Sequence, residues 1–277
     1  MEKIKKMVPW WGKIAAKIML SRLHFDYNRF WKRFGLFVNG PMEDPEYALG
    51  VFERHYRYFA KKPFVCMELG CGDSLSTALI AKFHGATCTY LVDVSDFANR
   101  KIDTYKRLAS VLDIDISIYS MESYMEACNA SYLTKGLLSL KSIPDNSVDF
   151  IFSQAVLEHV RRGEVRQTLV ELRRILKPVG KMSHAVDLKD HLGGELNNLR
   201  FSQYWWEKDW VACSGFYTNR LRYSEMIHLF EDAGFDCETT SITRFKKMLL
   251  ERHKMAPEFR RFSDDDLLIS GFNVVLS

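Results

Sequence analysis

Short apolar runs alternate with amphipathic ones along this chain, and the alternation sets out its elements. Val65–Leu69 reads as a buried strand, after which Leu75, Leu79, Ile80 and Phe83 recur on one helical face. A second strand follows at Thr87–Val92, then a helix around Ala98–Leu112 and a short strand near Ile116–Tyr119. Residues 120–143 break the rhythm and read as a partly helical insertion. The turn at Pro144–Ser147 leads into an apolar strand, Val148–Phe152, interrupted by Asp149. Val165, Leu169, Leu172 and Ile175 mark the inner side of a helix over Glu164–Leu176, which Lys177-Pro178-Val179-Gly180 stops. A fifth strand is expected at Met182–Val186, a helix at Ser224–Ala233, and late strands at Cys237–Thr243 and Ile269–Leu276. Strands that alternate with helices in this way predict an α/β fold with a mostly parallel sheet.

The N-terminus follows a different pattern. Residues 1–33 hold nine Lys/Arg against two acids, a balance of +7 that leaves −3 on the rest of a chain whose total is +4. Trp11, Ile14, Ile18 and Met19 recur at helical spacing while Lys13 and Lys17 project elsewhere, which describes a basic amphipathic helix. Such a helix suits an anionic membrane surface, and equally suits packing onto the body with its lysines in water. Lys13 and Lys17 also cut the apolar run short of a secretory leader, and no later stretch is long enough for a membrane span. The division expected is a helical arm over 1–60 and a body over 61–277, with an aromatic insertion at about 191–222. Six cysteines lie scattered without metal-site spacings, so no metal is expected, and reduced thiols point to a cytoplasmic protein, peripheral at the inner membrane face if the arm binds lipid.

The chemistry concentrates where the first strand ends. In "VCMELGCGDS" a carboxylate, Glu68, precedes two closely spaced glycines, Gly70 and Gly72. A strand, a glycine turn and a helix N-terminus direct backbone N–H groups at a ligand on the carboxyl edge of the sheet. A phosphate-binding loop would need GxxxxGK[ST] and a dinucleotide loop GxGxxG, but the third position here is Leu75. Glu68 and Asp73 would also repel a pyrophosphate. A ligand with positive charge and no phosphate fits better, and S-adenosylmethionine, with its sulfonium, α-ammonium and ribose, is one.

ELGCGDS resembles the first motif of class I S-adenosylmethionine-dependent methyltransferases, with Ser74 in place of a third glycine. YLVDVS at 90–95 resembles the second motif, VDFIFSQAVLEHV at 148–160 the fourth-strand motif of the small-molecule branch, and LRRILKPVGKM at 172–182 the helix and strand after it. The resemblance implies a Rossmann-like sheet of seven strands with an antiparallel last strand. It also implies cofactor contacts from Glu68, Gly70, Cys71, Gly72, Asp93, Val94, Ser153 and Gln154. Asp93 would bind the ribose hydroxyls, and Glu122, taken to follow strand three, the adenine.

The acceptor is less legible. SQAV stands where base-methylating relatives carry an Asn/Asp-Pro-Pro-aromatic turn, and the body is not basic, so nucleic acid is not expected as a partner. Three tryptophans (Trp205, Trp206, Trp210) with Arg200, Tyr217, Arg220 and Arg222 suggest an aromatic lid that binds a saccharide or phosphorylated small molecule. The DLKDH segment at 187–191, the aromatic lid and the YTNRLRYSE stretch at 217–225 together resemble methyltransferases of bacterial surface polysaccharide synthesis. An alcohol acceptor would need a base, and His159 and His184 are the candidates, with Asp187 placed to orient an imidazole. The alternatives are N- or phosphate-methylation, or a membrane-associated protein that keeps the fold without turnover.

Overall fold

The structure, a computed structural model, describes residues 11–12 and 42–277. The basic amphipathic stretch of the arm therefore lies almost wholly outside the described residues. Among those residues no helix is long and apolar enough to cross a membrane.

Seven strands form one sheet in the order β3-β2-β1-β4-β5-β7-β6. They are β1 (Phe64–Leu69), β2 (Ala86–Val92), β3 (Ala130–Leu133), β4 (Val148–Gln154), β5 (Leu176–Asp187), β6 (Cys237–Arg244) and β7 (Ile269–Leu276). Neighbours pair in parallel from β3 through β5, whereas β7 runs antiparallel to both β5 and β6. This is the expected Rossmann-like sheet with its reversed last strand.

Strand three is the main correction. The expected strand at Ile116–Tyr119 is absent, and β3 forms at Ala130–Leu133, inside the supposed insertion. Ser120 caps a helix, Met121–Ala127, by accepting from the Ser123 N–H, so the chain turns helical just where the sequence suggested a strand had ended. Glu122 consequently precedes β3 and lies exposed in the first turn of that helix. The reading of Glu122 as the acid after strand three falls with the strand.

Two apolar layers cover the sheet. On one face Phe150 and Phe152 pack with the helix Ser76–Phe83 and with a helix from the expected arm, Pro45–Tyr56. That helix starts cleanly because Asp44 accepts from the N–H groups of Glu46 and Tyr47 while Pro45 occupies the first turn. Its Phe52 meets Phe150 and Phe152 edge-on at 6.3 and 5.6 Å. On the other face Ile151, Met182 and Val186 pack with the helices Arg162–Ile175 and Tyr223–Asp232. A strand sends alternate side chains to opposite faces, so this assignment decides where each candidate residue points.

Candidate active site

The loop after β1 is shaped by its glycines. Gly70 (φ 76°) and Gly72 (φ 62°) both adopt left-handed backbone. A Cβ on Gly70 would lie 2.4 Å from Val156 Cγ2, so the loop after β4 closes against bare backbone. Ser74 has no such constraint, and its Oγ bonds Ser76 Oγ at 2.7 Å where the next helix begins. This explains why a serine serves in the third position.

Asp93 ties the neighbouring strand end to this loop. Its Oδ2 accepts from the Gly72 N–H at 2.8 Å and its Oδ1 from the Val94 N–H at 2.7 Å. Burial raises its pKa, and those two N–H donors pull it back toward the charged form. Cys71 is buried with its Sγ 3.9 Å from Asp93 Oδ2, and burial keeps it a neutral thiol. Val94 is exposed beside Gly136, which terminates the approach of β3. Glu68 is buried, and its Oε2 completes no hydrogen bond among the described residues. Burial, together with the nearby Asp93 carboxylate, pushes its pKa up to about 7. An orphaned buried carboxylate beside a glycine cradle is what a cationic ligand would satisfy, so these residues fit S-adenosylmethionine.

Farther along the same edge, residues in register build a polar crevice. Gln154 pairs with Ala185, Ala185 with Asn273, and Asn273 with Ser241; in a second row Asp187 pairs with Gly271 and Gly271 with Thr243. These positions, with Lys189 and Ser270, line an open crevice of about 210 Å³. Asp187 and Lys189 form an ion pair at 3.4 Å, so the lining carries one charge of each sign. Asn273 Nδ2 donates to Ser241 Oγ at 2.8 Å.

The candidate histidines separate. His184 lies on the face opposite the crevice, fully buried between Met182 and Val186 of the core, with Nδ1 2.7 Å from Ser153 Oγ. Burial, with the nearby His55, lowers its pKa to about 3. A ring sealed from solvent and turned away from the crevice is no general base, which corrects the expectation for His184. The same bond turns the Ser153 side chain into the core, so it makes no ligand contact there. His159 follows β4, exposed yet ringed by protein, and this desolvation lowers its pKa. Its Nδ1 lies 3.0 Å from the Tyr217 carbonyl. A carbonyl only accepts, so Nδ1 carries the proton and Nε2 presents a lone pair. Its ring meets His191 edge-on at 4.7 Å, and the Asp187 carboxylate is close enough to favour its charged form.

The aromatic insertion is mostly a core of its own. Trp206 is buried with Leu192, Val211, Phe216 and Tyr217, whereas Trp205 and Trp210 are exposed. Arg220 lies over the Trp206 ring at 4.9 Å and donates to the Asn198 and Phe201 carbonyls. Arg222 is buried and donates to the carbonyls of Leu188, Asp266, Leu267 and Ile269. Tyr217 Oη donates to Glu207 at 2.9 Å, and Arg200 Nε to Asn197 Oδ1 at 3.0 Å. Arg220, Arg222 and Tyr217 therefore tie the insertion together through the guanidinium ends and the hydroxyl, while the buried Nε of each arginine completes no hydrogen bond among the described residues. Asp190 does the same for the loop before them, its Oδ1 accepting four successive N–H groups from Leu192 to Glu195. Sequence reasoning missed the crevice residues Lys189, Ser241, Thr243 and Asn273; the one signal was a polar Asn273 inside an apolar strand. Among the described residues no group of three or more His, Cys, Asp or Glu assembles to hold a metal.

Residues 67–183 match a family model described as a methyltransferase domain. The match runs from β1 into β5, so this part of the chain is similar to that domain. The buried Glu68 and the Asp93 edge fit S-adenosylmethionine as the cofactor. No curated protein matches the sequence. Solved structures share the fold. A methyltransferase from Archaeoglobus fulgidus is 13% identical with a TM-score of 0.50, the match covering 91% of this chain and 98% of that one. One from Methanosarcina mazei is 16% identical with a TM-score of 0.50, covering 79% and 94%. A phosphoethanolamine N-methyltransferase from Haemonchus contortus, solved with phosphomonomethylethanolamine and S-adenosylhomocysteine, is 15% identical with a TM-score of 0.51, covering 93% and 59%. At these identities the likeness is one of fold.

Proposed function

We propose that this methyltransferase domain methylates a hydroxyl of a neutral, polar acceptor such as a saccharide, seated in the crevice beside Gln154. The observation that carries this reading is the lining itself: hydroxyls and amides in register across β4, β5, β7 and β6, with Asp187 and Lys189 cancelling each other's charge. A phosphorylated acceptor would call for surplus positive charge, and Arg220 and Arg222 are committed to backbone carbonyls while Arg200 Nε donates to Asn197 Oδ1.

Glu68, Asp93 and the Gly70–Gly72 loop hold the cofactor in this reading, Glu68 facing its cationic end and Asp93 its ribose. Bound S-adenosylmethionine supplies an electrophilic methyl on its sulfonium. The chain's own contribution is to align the acceptor and exclude water. His159 takes the acceptor proton on Nε2, because its Nδ1–H is fixed on the Tyr217 carbonyl and desolvation by the surrounding protein favours the neutral ring.

The test is S-adenosylhomocysteine release with a panel of neutral saccharides set against phosphoethanolamine. Release with a saccharide supports the reading. Release with phosphoethanolamine alone favours N-methylation instead.

A further inference from the structure

His55 sits on the helix Pro45–Tyr56, far in sequence from Gln154, yet it reaches the end of β4. It is buried, with Nδ1 2.8 Å from Ser183 Oγ and Nε2 3.2 Å from Gln154 Oε1. Its ring packs on Phe152 with centroids 5.3 Å apart, so the imidazole is clamped on three sides. The chemistry of the partners fixes its protons. An amide oxygen only accepts, so Nε2 carries the hydrogen, Nδ1 is left as a lone pair, and the Ser183 hydroxyl donates to it.

An amide is planar, so pinning its oxygen on one side turns its nitrogen to the other. Gln154 lines the crevice, and its amide nitrogen has no partner among the described residues. We infer that His55 is a positioning residue that locks the Gln154 amide with its two N–H donors facing the crevice, so that this position selects an acceptor oxygen over an amine. The selection follows from what is left over. At this position an oxygen lone pair meets two donors, whereas the amide oxygen, held by His55, is turned away from an ammonium in the crevice. This rests on the reading that the crevice seats the acceptor.

The test uses the full chain, labelled with ¹⁵N and loaded with S-adenosylhomocysteine. Methyl α-glucopyranoside is the hydroxyl probe and phosphoethanolamine the amine probe. Long-range ¹⁵N spectra of the His55 ring should show the Nε2–H tautomer; the Nδ1–H tautomer would overturn the inference. The glucoside should shift the Gln154 side-chain amide signals, and binding should weaken about tenfold in His55→Phe, the order of one lost hydrogen bond. His55→Gln, whose amide can still donate to Gln154 Oε1, should restore it. Gln154→Glu should reverse the preference toward phosphoethanolamine. Cofactor affinity should stay at the wild-type value in the two His55 variants. Equal glucoside binding by wild type and His55→Phe would sink the proposal. If the glucoside moves Ser241 and Asn273 signals but not Gln154, the crevice reading stands and this inference fails; if it moves none of them, both fail.

Discussion

Ser153 Oγ lies 2.7 Å from His184 Nδ1 across the β4–β5 ladder, and the pair points into the core, away from the crevice that Gln154, the very next residue, helps to line. One step along a strand therefore separates a structural pair from a ligand-facing amide. His184→Leu should accordingly keep cofactor-dependent turnover. A histidine whose folded pKa is lowered contributes stability above its unfolded value of 6.5 that is lost as pH falls toward about 3. The leucine variant should therefore lose less melting temperature over that window than wild type, and a thermal-shift series in acid checks it.

His159→Ala should behave in the opposite way. Loss of a general base typically costs ~100–10,000-fold in rate, with cofactor affinity near wild type by calorimetry. Because desolvation lowers the His159 pKa, the wild-type rate should climb with pH on the acid side of the ordinary histidine value and level off by neutrality. A mutant that keeps both the rate and this limb would remove His159 from the reaction.

Asp93→Ala should weaken S-adenosylmethionine binding at least tenfold. Each charge-assisted hydrogen bond to the ribose is worth roughly 1.5–3 kcal/mol, and the variant also frees the Gly72 N–H that shapes the loop. Unchanged affinity in a titration would refute the role.

Glu158 offers a stability test independent of any acceptor. It is buried after β4, its Oε1 accepting from the Asp187 N–H at 3.3 Å while Oε2 completes no hydrogen bond. Burial raises its pKa from 4.5 to about 8. An acid that holds its proton more tightly when folded favours folding below pH 4.5, and that contribution drains away as pH rises to about 8. Wild-type stability should decline across this window, and Glu158→Gln, neutral at every pH, should flatten the decline. Parallel curves for the two proteins would contradict it.

Phe52→Ala tests whether the helix Pro45–Tyr56 is integral to the domain. Removing a fully buried phenylalanine typically costs about 3–5 kcal/mol, and Phe52 is 0% exposed against Phe150 and Phe152. Denaturant unfolding should show a loss of that size; a change near zero would mean the helix is an appendage.

Local pattern alone determined much of this protein. The period-two and helical apolar spacings placed β1, β2, β4, β6, β7 and the helices between them, since burial of one face writes itself directly into the sequence. Glu68, Gly70, Gly72 and Asp93 were legible because a tight turn needs left-handed backbone and a cationic ligand needs acids, both requirements of a few neighbouring residues. β3 was misplaced because capping at Ser120 and strand pairing at Ala130 compete within one mixed stretch, and only pairing with β2 decides the contest. His184 stood beside His159 as a candidate base for a different reason. Whether His184 faces ligand or core depends on which sheet face the helices Arg162–Ile175 and Tyr223–Asp232 cover, and no spacing along β5 records that. Arg220 and Arg222 gave no sign of their partners in the sequence because those partners are backbone carbonyls, which every residue has and no motif marks. The crevice is tertiary in the fullest sense: Gln154, Asp187, Ser241 and Asn273 come from four strands, His55 from a helix that precedes them all, and they meet only because the sheet's register and its reversed last strand bring them to one edge.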